Sequence, residues 1–447
     1  MNLVYNIKDK PKFGQTLLFA LQQLLAIMAA TIAVPAVVNG ATGATMSQTA
    51  ALFGAGVGTL VYLLFTRFRS PVFLGSSFGF LGSMFAAFAG GVSMQLGYLG
   101  LIIGACFAGL VYVAIAIAVK FAGVKWINKL MPAIIIGPTV AIIGLSLASN
   151  AVGDLTSGAV SASPYVCIIC GLVTLFVTII CSVYGKKMVK MIPFVIGIVA
   201  GYAVAALFTL IGMKTGNENL MIVDFSLFQN IQWIPDFTFL NAAKGLSAID
   251  GKYIATIAVA YIPVAFVVFA EHIADHKNLS SIIDKDLLED PGLHRTLLGD
   301  GIGSMVGAIF GGCPNTTYGE SVGCVAITGN ASVITIFATA ILAIIVSFFG
   351  PFVTFLATIP SCVMGGVCIT LYGFIAVSGL KMLQKVDLGQ NKNLFVVSVI
   401  LITGIGGMTL KIGQVTITEI AGALILGIIT NLILSRKKDE VEDVAAA

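Results

Sequence analysis

Apolar runs long enough to cross a bilayer recur along almost the whole chain, and no other feature constrains the fold as tightly. Stretches of about 17–25 mainly apolar residues fall near 13–38, 47–66, 72–90, 96–119, 130–150, 164–183 and 191–213. A second set follows near 253–272, 297–311, 316–328, 332–356, 361–382, 394–410 and 415–435. Only 10% of the residues are charged, against about 25% in a soluble domain, so the chain has too few charges to coat a soluble surface. The expected class is an all-α polytopic membrane protein of about fourteen transmembrane segments. Its start, MNLVYNIKDKPKF, is polar and runs on into a full span, which predicts no cleavable signal peptide.

The basic residues test that count. Threaded alternately from a cytoplasmic N-terminus, all 24 Lys and Arg fall inside except Lys214, Lys244, Lys252 and Lys411. Such a bias is what the positive-inside rule expects, and miscounting one span would scramble it. Both termini are then cytoplasmic, and the longest polar connection, 214–249, is extracellular between two sets of seven segments. An odd number per half makes the halves inverted repeats.

Residue patterns agree with a repeat. Ser76-Ser77-Phe78-Gly79 in the third segment matches Thr316-Thr317-Tyr318-Gly319 in the tenth: hydroxyl, hydroxyl, aromatic, glycine. The fifth and twelfth segments also open alike, with MPAIIIGP and IPSCVMGG. Matched interrupted segments in the two halves of a transporter point to its binding site. A continuous helix satisfies its own backbone, whereas a short extended piece leaves N–H and C=O groups for a ligand. The half-helix that follows aims its positive end at acceptor atoms. The bland reading of such pieces is a glycine-rich kink. GAGVG (Gly54, Gly56, Gly58) and GDGIG (Gly299, Gly301, Gly303) read instead as close-packing helix faces.

Ionisable residues inside spans mark functional sites. FAEHIADHK closes the eighth segment, where Glu271 and Asp275 share one helix face and His272 and His276 another. His276 is expected near the cytoplasmic boundary, capping or solvating the helix end. Glu320 begins the tenth half-helix, where the dipole favours a carboxylate. Asp300 is a weaker candidate. Carboxylates beside free N–H groups fit a planar, neutral, amide-like ring that both donates and accepts; an inorganic anion would be repelled. The eight cysteines lie within or beside apolar stretches, and Cys167 and Cys170, without further soft ligands, read as buried thiols. No metal or cofactor is called for, and no nucleophile–base pair indicates an enzyme.

Together GSSFGF, AEHIADH, DKDLLEDPGLHR and PNTTYGESVGCVAIT resemble the nucleobase–ascorbate transporter family, most closely its bacterial uracil permeases, over nearly the whole chain. The resemblance implies two inverted seven-segment repeats, with a core domain of 13–125 and 250–356 moving elevator-like against a gate domain of 126–213 and 357–435. The tail is 436–447. It implies import of a nucleobase, uracil, across the bacterial plasma membrane with protons, sodium staying open as the coupling ion, by a protein that is often a homodimer. Carried over by position, Glu271 and Glu320 bind substrate through side chains, and Phe78 and Gly319 through backbone N–H. Asp275 and Glu271 are the proton-coupling candidates. Ser76, Ser77, Thr316, Thr317, Tyr318 and Gln22 support the site, and Thr328 matches a signature threonine. Three positions depart from the pattern. Asp275 replaces the usual histidine, Gln23 follows Gln22 where histidine is usual, and Ser321 replaces an asparagine. Aspartate ordinarily titrates far below histidine, so the coupling path is the open point. The rival readings are a purine symporter of the same family (xanthine, urate or hypoxanthine), against which Glu320 replaces the usual glutamine, and an anion exchanger of the same fold.

Overall fold

The computed structural model describes residues 3–123, 132–146, 148–158, 162–186, 188–191, 193–229, 231, 233–384, 386–412, 415–417 and 419–435. The expected tail, 436–447, and the opening of the fifth segment at 130 lie outside them. Among the described residues, 8 helical stretches are long and apolar enough to cross a membrane, and shorter apolar helices accompany them.

The first half comprises α1 (Phe13–Thr42), α2 (Gln48–Phe65), strand β1 (Leu74–Ser76), α3 (Leu81–Phe88), α4 (Met94–Ala122), α5 (Ala133–Ser146), α6 (Ala148–Asp154), α7 (Pro164–Tyr184) and α8 (Pro193–Thr215). The second comprises α9 (Gly251–Ile283), α10 (Leu293–Gly311), β2 (Asn315–Thr317), α11 (Gly319–Thr328), α12 (Val333–Val346), α13 (Gly350–Ala357), α14 (Ser361–Leu383), α15 (Asn391–Ile405), hairpin β3–β4 (Leu410–Ile412 and Val415–Ile417) and α16 (Glu419–Leu434). Local chemistry sets several ends. Ser93 and Asp250 cap α4 and α9 by accepting from the Leu96 and Tyr253 N–H groups. Gly312 closes α10 in the left-handed region, at φ 73°.

Two segments differ from expectation. The eleventh breaks between α12 and α13, where Pro351 at the new start cannot supply a helical N–H. The fourteenth opens as a hairpin before α16, because Val415, Thr416 and Ile417 are β-branched and favour extended backbone.

The helices pack in two sets. In one, α10 lies on α2 and α4, α9 lies on α4, and α12 lies on α1 and α2. In the other, α14 lies on α5, α6 and α7, α8 lies on α7, and α15 lies on α5 and α16. Contacts between the sets run through α1 and α9. The glycine faces expected from GAGVG and GDGIG meet here. A Cβ on Gly54 would lie 2.4 Å from Gly307 O and one on Gly58 2.7 Å from Gly303 O, so α2 and α10 touch backbone to backbone.

Candidate functional site

The short pieces of the third and tenth segments do become extended, and they pair with each other. β1 and β2 run antiparallel with Leu74 opposite Thr317, Gly75 opposite Thr316 and Ser76 opposite Asn315. The pairing reaches one residue further on each side, Ser77 N–H donating to Pro314 O (2.9 Å) and Tyr318 N–H to Phe73 O (3.2 Å). Side chains hold this two-stranded crossing, which pairs with no further strand among the described residues. Thr59 Oγ1 on α2 accepts from Leu74 N–H (2.9 Å), and Asn315 Nδ2 donates to Gly54 O (3.1 Å). Ser321 Oγ accepts both from Phe73 N–H (3.2 Å) and from Gln23 Nε2 (2.6 Å). Two of the departures from the family pattern, Gln23 and Ser321, therefore bond to one another.

Each strand leads into the start of a helical piece, Phe78–Phe80 and then α3 on one side and α11 on the other. The N–H groups of Phe78 and Gly319, first in their turns, have no acceptor one turn back. Glycine is required beside them. Tyr318 lies flat over Gly75, whose Cβ would sit 2.3 Å from the ring, and its Oη donates to Ser76 O at 2.8 Å.

The carboxylates converge on this crossing. Thr317 Oγ1 donates to Asp275 Oδ2 at 2.7 Å. A Cβ built on Gly319 would lie 3.7 Å from Asp275 Oδ1, and one on Gly79 4.0 Å from Glu271 Oε2. Glu320 stands in the first turn of α11. Gly319 is exposed and Glu271, Asp275 and Glu320 are half-buried, whereas Ser76, Ser77, Thr316 and Thr317 are buried. The carboxylates thus line an open recess whose floor is the crossing. Among the described residues, Glu271 Oε2, Ser77 Oγ and Thr316 Oγ1 are buried without a hydrogen-bond partner, which leaves them for a ligand or for water.

Not every candidate lies at the recess. Gln22 is buried on α1. Thr328 sits at the far end of α11, donating to Cys324 O (2.8 Å) and accepting from Asn330 N–H (3.1 Å), where it closes the helix. His276 does not cap or solvate a helix end as expected. It is fully buried, 2.8 Å from Tyr62 Oη, because the same helix face that turns it from the recess turns it into α2. Asp300, read as the weaker carboxylate, is bonded to His272 at 2.6 Å. One residue was missed altogether: Tyr372 of α14 meets the Phe78 ring edge-on, with centroids 5.3 Å apart. Its helix belongs to the other packing set, and no motif in the sequence links it to Phe78.

The model of a permease family, the xanthine and uracil permeases, matches residues 14–413. The chain belongs to the nucleobase–ascorbate transporter family. Similar members include the uracil permeases of Bacillus caldolyticus, 39% identical over 98% of this chain and 96% of that one, and Bacillus subtilis (strain 168), 37% identical over the same shares. That of Escherichia coli (strain K12) is 34% identical over 96% of this chain and 93% of its own. Family members of this kind are transporters, so the chain is a multi-pass membrane transporter and not an enzyme. Among solved structures, the transmembrane domain of the cyanobacterial bicarbonate transporter BicA matches with TM-score 0.62 at 15% identity, over 97% of this chain and 100% of that one. Murine Solute Carrier 26 family member A9, an anion transporter, matches with TM-score 0.65 at 12% identity, over 96% of this chain and 69% of that one. The shared fold has the seven-plus-seven inverted repeat expected from the sequence.

Proposed function

We propose that this transporter imports a nucleobase, uracil, by proton symport. The observation that carries the reading is the recess itself, where acceptor side chains from α9 and α11 face the N–H-bearing starts of two half-helices. A pyrimidine ring presents ring N–H groups to the first and carbonyl oxygens to the second. Glu271 and Glu320 take the ring N–H groups, Phe78 and Gly319 N–H take the carbonyls, and the Phe78 and Tyr372 rings provide an apolar wall. The uracil permeases among the similar proteins support the choice of ring. The likeness to anion transporters concerns the fold, and carboxylates lining the recess oppose an anionic cargo.

Asp275 is the proposed proton carrier. It lies between the substrate recess and Thr317, whose hydroxyl hydrogen bond at 2.7 Å competes with a proton on Oδ2. The two packing sets correspond to a core and a gate, with the Phe78–Tyr372 contact between them as the surface that slides. The cytoplasmic termini, bacterial plasma membrane and homodimer implied by the family complete the proposal. Labelled uracil uptake into proteoliposomes tests it, with and without a proton gradient and with excess xanthine or thymine. Uptake that ignores the gradient removes symport, and uptake that excess cold uracil does not compete removes the substrate.

A further inference from the structure

The half-helix α11 has 10 residues and carries Gly319 and Glu320 at its recess end. A helix shorter than about 12–15 residues is marginal on its own, so α11 keeps its direction only if both ends are held. The crossing holds the first end, where Val322 N–H donates to Tyr318 O (3.2 Å) and Ser321 Oγ accepts from Phe73 N–H. The second end is held by a part of the chain that the proposed transport cycle does not use.

α11 stops at Gly329, in the left-handed region at φ 65°, and the chain turns through Asn330, Ala331 and Ser332 into α12. Within the turn, Ser332 N–H donates to Asn330 Oδ1 (3.0 Å) and Asn330 Nδ2 to Thr335 Oγ1 (3.0 Å). The segment ahead of α1 lies alongside, with Tyr5 and Asn330 forming a parallel bridge. Gly329 O accepts from both Val4 N–H (2.8 Å) and Tyr5 N–H (3.2 Å), and Tyr5 O accepts from Ala331 N–H (2.9 Å). Val333 is the first residue of α12, so its N–H has no acceptor one turn back. Ile7 O supplies that acceptor at 3.2 Å, and Asp9 O accepts from Ser332 Oγ at 2.7 Å.

The segment is itself fixed to α1. Ile7 is buried, Tyr5 Oη donates to Gln15 Oε1 (2.9 Å), and the Tyr5 ring meets Phe19 edge-on at 6.1 Å. Asn6 N–H donates to Asp9 Oδ2 (2.7 Å) and closes a turn between them. These bonds tie the segment to α1 and to the α11–α12 turn, and α1 packs on α12. The contact therefore braces one packing set and does not latch the two sets together.

We propose that residues 4–9 are a brace that positions α11, setting where Gly319 N–H and Glu320 stand in the recess. Val4, Tyr5 and Ile7 are positioning residues that act through their backbone groups on Gly329, Ala331 and Val333. The role rests on the recess being the uracil site.

Hydrogen exchange of the full-length wild-type protein should find the Val4 and Tyr5 amides protected, although they precede the first helix. Their complete exchange at the earliest time point overturns the brace and needs no variant to fold. Val4→Pro/Tyr5→Pro removes both donors to Gly329 O, whereas Val4→Ala/Tyr5→Ala removes the same side chains and keeps the donors. The proline pair should speed exchange of the α11 amides at least about tenfold. It should also raise the KM and Kd for uracil at least about threefold, with the maximal rate per folded molecule within about twofold of wild type. The alanine pair should keep KM and Kd within about twofold of wild type. A merely structural role lowers the amount of folded carrier and leaves KM in place. Equal KM in the two variants, or a wild-type KM in the proline pair, overturns the proposal. Wild-type protein that binds no uracil removes the functional reading instead, and leaves the α11 exchange to decide the brace.

Discussion

Replacing Glu271 by glutamine should weaken uracil binding and at the same time raise the stability of the empty protein. Glu271 Oε2 is buried and makes no hydrogen bond among the described residues, so the unliganded chain bears the desolvation cost of an oxygen that only a ligand offsets. A hydrogen bond to a charged group contributes about 1.5–3 kcal/mol and a neutral one about 0.5–1.5 kcal/mol. The amide therefore forfeits about 1–1.5 kcal/mol of binding, or about tenfold in Kd. In the empty site the substitution removes an unpaired buried charge whose cost is about 1–3 kcal/mol, so Tm should rise by about 2 °C or more. Calorimetric titration of purified protein with uracil reads the first effect, and thermal unfolding without uracil reads the second. Glu271→Ala should abolish uptake without abolishing expression, because no acceptor remains. Wild-type affinity in Glu271→Gln would refute the ligand assignment. A lower Tm in the empty protein would refute the claim that Oε2 lacks a partner.

Substitutions at three further positions probe the scaffold. Gly75→Ala places a methyl 2.3 Å from the Tyr318 ring, an overpacking of about 1–3 kcal/mol; Tm and uracil uptake should both fall, and unchanged uptake would show that the ring is not held there. Ser321→Ala leaves the Gln23 amide and the Phe73 N–H without their acceptor, at a cost of about 1–3 kcal/mol, and Ser321→Thr should restore part of the lost Tm. Asp290 lies outside the spans, where Lys285 (2.6 Å) and Arg69 (3.0 Å) hold its carboxyl below the usual carboxylate range. Its pKa is thus lower folded than unfolded, so the pair's stabilisation is present above the unfolded value, about 3.9, and is lost as pH falls through the folded one. All three side chains are at least one-third exposed, so Asp290→Asn should cost less than about 1 kcal/mol near neutral pH. That loss should shrink in high salt and vanish in acid; a loss that persists in acid would mean the effect is not electrostatic.

The spans were legible because the bilayer imposes a length, and composition reports that length directly. The break at Pro351 and the hairpin strand Val415–Ile417 were missed, because a count of spanning-length apolar runs passes over them. The two interrupted segments could be found because hydroxyl–hydroxyl–aromatic–glycine recurs in both halves, and the structure pairs those pieces. Their register could not be read, since three-residue strands show no period and are held by Thr59, Asn315 and Ser321 from elsewhere in the chain. Helical spacing correctly separated Glu271 and Asp275 from His272 and His276. It could not say what each face would meet, so His276 was sent to water when Tyr62 was waiting for it. Tyr372 was out of reach for the same reason, because its partner Phe78 lies almost 300 residues away in the chain.

The crossing is symmetric in backbone and asymmetric in chemistry, and on the proposed reading that difference would orient a ligand. Gly79 and Gly319 occupy equivalent places, each opposite a carboxylate of the same helix, Glu271 for one and Asp275 for the other. After Gly79 comes Phe80, buried and stacked on Tyr261 at 5.6 Å; after Gly319 comes Glu320, half-buried in the recess. Acidic groups therefore come from α9 and the second half-helix, while the first contributes Phe78 and backbone N–H. On the proposed reading, a planar ring in this recess would turn its N–H edge toward Glu271 and Glu320 and lay its apolar face on Phe78. Reversing the two residues, with Phe80→Glu and Glu320→Phe together, would demand that a carboxylate replace a buried aromatic ring beside Tyr261. The inverted repeat supplies two equivalent half-helix starts, and burial of Phe80 on one side leaves only the other with a carboxylate, Glu320, after its glycine.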